Sequence, residues 1–96
     1  MDEERALQIL EEVCRRLQIS VHYEGLEFDE LRIQSGGCVV RGEHRIIIER
    51  SLPVSRRIDI LASELSKHDL RGIYLPPYIR DLIEASKGGE TNRVPD

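Results

Sequence analysis

Glu64 and Lys67 stand three residues apart in the segment Leu61-Ala62-Ser63-Glu64-Leu65-Ser66-Lys67, and a carboxylate held in a cleft can act as a general base toward water. The same spacing places a glutamate and a lysine side by side on a helix surface, where the pair stabilises the helix by about 0.2–0.5 kcal/mol. The plainer reading, a solvated helix face, is preferred, and Glu64 is the one weak catalytic candidate. His22, His44 and His68, with Cys14 or Cys38, are the other residues of metal-ligand type. None of them stands at a C-x-x-C or H-x-x-x-H spacing, so no metal site is expected from them. Cys38 and His44 are six positions apart across a turn and could meet as thiol and base. No helix N-terminus or arginine cluster is clearly placed to lower the Cys38 pKa, and Cys38 is expected to be a buried small side chain. Cys14 belongs to the core face of a helix. No cofactor is expected.

Arginine supplies twelve of the fourteen basic residues, and its planar guanidinium suits bidentate contact with phosphate. The 18 acidic residues outnumber the basic ones for a formal charge of −4, which argues against nucleic acid and against anionic membranes. Arg56 and Arg57, at the start of a helix, are the most plausible anion contact. The segment Ile73-Tyr74-Leu75-Pro76-Pro77-Tyr78-Ile79 concentrates apolar area, two tyrosines and two prolines. Tyr74, Pro76, Pro77 and Tyr78 are therefore candidates for a protein interface, the alternative being that the link packs the last helix on the sheet.

The elements that must carry these residues follow from hydrophobic period. Over 2–18, Ala6, Leu7, Ile9, Leu10, Val13, Cys14 and Leu17 share one side of an amphipathic helix whose acidic first turn and basic end suit the helix dipole. Ile19, Val21 and Tyr23 then alternate with polar residues, as in a strand with one face buried. Residues 26–35 show no clean period and are expected to be irregular or short-strand structure. Gly36-Gly37 precedes two β-rich runs, 38–41 and 45–50, joined through Gly42 as a hairpin. Ile46, Ile47 and Ile48 must point to both faces of a sheet, so this strand is expected to be central or covered on both sides. Pro53 opens a helix over about 54–68 with Ile58, Leu61, Ala62 and Leu65 on its buried stripe. A last helix starts at Pro77 or Tyr78 and is expected to close at Lys87 and the Gly88-Gly89 pair. The fold class is α+β: a small, mainly antiparallel sheet with a central hairpin, packed by an N-terminal helix and two C-terminal helices. Residues 1–87 form one domain and 88–96 a flexible tail.

The run Gly42 to Leu70, in which an isoleucine-rich strand feeds a helix through Ser-Leu-Pro, resembles the zincin metallopeptidases, and most nearly their IrrE-like branch. In that superfamily a glycine turn and an apolar strand precede a helix carrying H-E-x-x-H, whose histidines bind zinc and whose glutamate activates a water. Laid on this chain, the histidine positions become Ser63 and Lys67, and Glu64 is the member retained. A serine hydroxyl is a poor zinc ligand and a lysine ammonium repels a cation, so the resemblance implies a degenerate fold without zinc catalysis.

A 96-residue chain buries about 60–65% of its extended surface, enough for one core. No apolar run is long enough to span a membrane, and the acidic opening Asp2-Glu3-Glu4 is unlike a secretion signal, so a cytoplasmic protein is expected, its cysteines as thiols. The function expected is a non-catalytic protein-interaction or self-assembly module, with a protein partner or a homodimer. The alternatives are a metal-dependent hydrolase using Glu64 and a weak nucleic-acid binder using Arg56 and Arg57.

Overall fold

In a computed structural model the chain is described over residues 2–25 and 36–92. The expectation for residues 26–35, and the end of the chain beyond 92, lie outside the described residues. The element order is α1 (Glu3–Arg16), β1 (Ser20–Glu24), β2 (Gly36–Val40), β3 (Glu43–Glu49), α2 (Val54–Leu65) and α3 (Pro77–Asn92), an α+β fold.

α1 begins where Asp2 accepts hydrogen bonds from the backbone N–H of Glu4 at 3.0 Å and of Arg5 at 3.4 Å, taking up donors that the first turn leaves unpaired. It ends in a Schellman turn. The Ile19 N–H donates to the Cys14 carbonyl at 2.8 Å and the Gln18 N–H to that of Arg15 at 3.0 Å, with Gln18 at φ 62°. This turn delivers Ile19, which is buried, straight into β1.

The sheet order is β1-β3-β2, so the isoleucine strand is central, as its two-faced apolar pattern requires. β2 and β3 form the expected hairpin, antiparallel, with Val40 opposite Glu43 across a two-residue turn. Arg41 and Gly42 have φ of 55° and 80°, the positive pair that a tight turn with the sheet's own twist demands. β1 joins the other edge of β3 in parallel, Val21 beside Ile46 and Tyr23 beside Ile48. Ile46 and Ile48 are buried in the core and Ile47, on the opposite face, is half-buried.

One core cluster joins that sheet face to all three helices, and α2 is its hub, touching α1, α3, β2 and β3. Leu10, Ile46, Ile48, Leu61, Leu65 and Ile79 are among its fully enclosed side chains. Two helix ends differ from the sequence pattern. α2 stops at Leu65, because Lys67 and His68 donate to the carbonyls three residues back in a tightened turn, and the Ser66 hydroxyl donates to the Ser63 carbonyl at 2.6 Å. α3 runs through Gly88-Gly89 to Asn92, since glycine costs a helix about 1 kcal/mol relative to alanine without forbidding its backbone angles. Among the described residues no helix is long and apolar enough to cross a membrane.

Candidate functional site

The hairpin and the C-terminal end of α2 enclose a cleft of about 300 Å³, lined by Glu64, Lys67, His44 and His68 and bordered by the strand that carries Cys38. Gly37 explains how a carboxylate can lie beneath the strand. A side chain at Gly37 would place its first carbon 2.3 Å from Glu64 Oε1, so the bare backbone of β2 lets Glu64 tuck under it. The Glu64 side chain is only 18% exposed, unlike the solvated surface charge expected from spacing alone, while Lys67 reaches over it from solvent with Nζ 3.4 Å from Oε2. His44, at the start of β3, meets His68, just beyond α2, edge to face with ring centroids 5.3 Å apart.

Other pairings suggested by sequence are separated by strand alternation. Cys38 lies opposite Arg45 and Val39 opposite His44, so Cys38 and His44 project from opposite faces and form no thiol–base pair. Cys38 is exposed rather than buried, because β2 lies at the margin of the sheet, where its outer face has little to pack on. His22 pairs with Ile47 on the face away from the helices, apart from His44 and His68. Among the described residues no group of three or more His, Cys, Asp or Glu side chains is placed to hold a metal ion.

Arg57 is absorbed by the fold. Its Nε donates to the Leu52 carbonyl at 2.9 Å and a terminal nitrogen to the Arg50 carbonyl at 2.7 Å, and its guanidinium stacks on the Tyr23 ring at 5.0 Å. These bonds hold the turn between β3 and α2, where the preceding Pro53 offers no side-chain cap, and they leave Arg57 committed internally rather than to an anion. Arg56 is exposed. The link before α3 divides as its pattern allows: Leu75 and Ile79 are buried, Pro76 and Tyr78 half-buried, and Pro77 and Tyr74 exposed. Tyr74, at 79% exposure, stands beside a groove of about 550 Å³ that it shares with Ile9, Arg16 and Pro76.

Tyr23 also donates its hydroxyl to Glu11, and burial, reinforced by that bond, holds the phenol well above its ordinary pKa of 10.0. Burial likewise pushes the Cys14 thiol up to about 12, helped by the negative charges of Glu11 and Glu64. An inert, protonated thiol in the core follows, whereas Cys38 is the accessible one.

What sequence reasoning missed is that the first strand of the expected hairpin leaves its valines exposed. Val39 at 58% and Val40 at 39% are, with Tyr74, the exposed large apolar side chains of the described residues, and two of these three lie on β2. The signal was present in Gly36-Gly37-Cys38-Val39-Val40, five residues without a charge or a proline, where a sheet margin ordinarily carries one. Comparison with family models, curated proteins and solved structures finds no match to this chain.

Proposed function

We propose that this chain is a non-catalytic protein-interaction module of the cytoplasm, a degenerate zincin-like fold, which binds an extended protein segment as an added strand on β2. The observation that carries this reading is the exposed, uncharged margin strand with Val39 and Val40 on it. Such a strand offers main-chain hydrogen bonds to a partner and apolar area to hold it. The hairpin and α2 follow one another in the order on which the zincin resemblance rests, and Glu64 lies in the cleft between them. Ser63 and Lys67 supply no pair of zinc ligands, which disfavours the hydrolase alternative. The internal bonds of Arg57 disfavour the nucleic-acid alternative.

The test is titration of isotope-labelled protein with a panel of short extended peptides rich in β-branched residues, followed by amide shifts. Saturable shifts centred on residues 36–40, lost in Val39→Pro, are the expected result. A panel that leaves those amides unmoved would sink the reading.

A further inference from the structure

The docking edge of β2 is self-complementary, and we infer that its occupant is β2 of a second copy of this chain, paired antiparallel about a two-fold axis at Cys38. This inference rests on the strand-addition reading above and goes beyond it by naming the partner and the register.

The register within the hairpin sets the geometry. Val40 and Glu43 flank the two-residue turn, so they exchange hydrogen bonds with each other, and the main-chain groups of residues 40, 38 and 36 point toward β3. Those of Gly37 and Val39 point the other way, out of the sheet, and among the described residues no strand pairs with that side. Centring a symmetric antiparallel pair on Cys38 sets Gly37 opposite Val39 of the second copy and Val39 opposite its Gly37. Each such pair exchanges both of its main-chain hydrogen bonds. Within the five-residue strand this register uses every outward-pointing group.

Side chains agree with that register. Every valine meets a glycine, Val39 opposite Gly37 and Val40 opposite Gly36, so no two bulky side chains face each other across the strands, and Val39 lies beside the Glu64 carboxylate that occupies the space at the facing Gly37. The strand itself carries no charge, and Glu64, the carboxylate beneath Gly37, has Lys67 as its counter-ion at 3.4 Å, which limits the like-charge repulsion that an isologous contact otherwise risks. The two three-stranded sheets become one continuous sheet, with the margin strands now inside it.

Cys38 serves as a built-in reporter. It meets its own copy at a non-hydrogen-bonded position, where facing Cα atoms lie about 4.5 Å apart, inside the range of about 4.4–6.8 Å that a disulfide spans. Cys14, the other cysteine of the chain, is buried.

The experiment is sedimentation of the reduced protein over a micromolar to millimolar series, with Cys38 cross-linking by oxidised glutathione read in parallel. In that reaction two thiols lose two electrons and glutathione disulfide gains them. Val39→Pro is the decisive variant, because its lost N–H faces the second copy and the β2–β3 ladder keeps all its bonds. Should it fail to fold, Val39→Lys places a charge on the same edge. The expected result is a reversible dimer, retained in Cys38→Ser, weakened about thirtyfold by Val39→Pro through loss of one donor on each copy, with cross-linking lost in parallel. A dimer whose mass and cross-linking ignore Val39→Pro would place the contact elsewhere and overturn the inference. Protein that stays monomeric and uncross-linked while peptides still shift residues 36–40 would refute the second copy and leave strand addition standing. A monomer that also ignores the peptides would remove both.

Discussion

Gln18 occupies a left-handed position, φ 62°, at the end of α1, where a side chain with a Cβ costs about 1–2 kcal/mol and glycine is the usual occupant. Its side chain is exposed. Gln18→Gly should therefore stabilise the protein by about 0.5–1 kcal/mol, the relief of strain being partly offset by glycine's larger unfolded-state entropy, and urea unfolding measures it. Cys14 makes a pH prediction of definite sign. Its folded pKa is raised to about 12 from an ordinary 9.0, so the folded state holds the proton longer than the unfolded one. The stabilisation is whole below pH 9 and is lost as the pH climbs toward 12. Tyr23, raised for the same reason of burial, adds to that alkaline fall from its ordinary 10.0 upward. Unfolding followed from pH 7 to 12 should show a plateau and then a decline, and the decline should be shallower in Cys14→Ala.

At the scale of elements, β2 and α2 approach closely because Gly37 has no side chain and Glu64 fills the space. The obstructing atoms are the far end of a rotatable side chain, so Gly37→Ala should displace the carboxylate rather than the strand. We expect it to cost about 1 kcal/mol in the native background and nothing, or a small gain, in Glu64→Ala, since residues in contact couple by about 0.5–3 kcal/mol. A double-mutant cycle on unfolding free energies reads this coupling. Additive effects would show that Glu64 does not occupy the space beneath the strand.

For the molecule as a whole, Arg57 links elements distant in sequence: it bonds carbonyls in the turn between β3 and α2 and stacks on Tyr23 of β1. Arg57→Ala should cost about 2 kcal/mol, because the side chain takes the place of a helix cap and satisfies carbonyls on a half-buried turn. Arg56→Ala, one position away and exposed, should stay within about 0.5 kcal/mol. Equal effects from the two would mean that the arginine clamp contributes nothing particular, and parallel denaturation of both variants decides it. With its apolar residues drawn into one core by the helices, the sheet keeps, among the described residues, its exposed large apolar side chains at β2.

The repeating patterns carried most of the architecture. The 3.6-residue stripe of Leu7, Leu10, Val13 and Cys14 determined α1, and the i, i+3, i+4, i+7 set Ile58, Leu61, Ala62 and Leu65 determined the buried face of α2, because both depend on a local period that the backbone must obey. The isoleucine run likewise announced a central strand. Tertiary structure alone decided the rest. Glu64 and Lys67 look alike to a helix-surface rule, yet one is enclosed beneath Gly37, 27 positions earlier, and the other is half in solvent. Arg56 and Arg57 are adjacent in sequence, but only the second points at Tyr23 and the turn carbonyls. Cys38 and His44, close in sequence, are parted by the alternation of the strands, whereas His44 and His68 are brought together across the hairpin and helix. Burial and partnership depend on which elements pack against a residue, and such contacts span distances along the chain over which a local pattern carries no information.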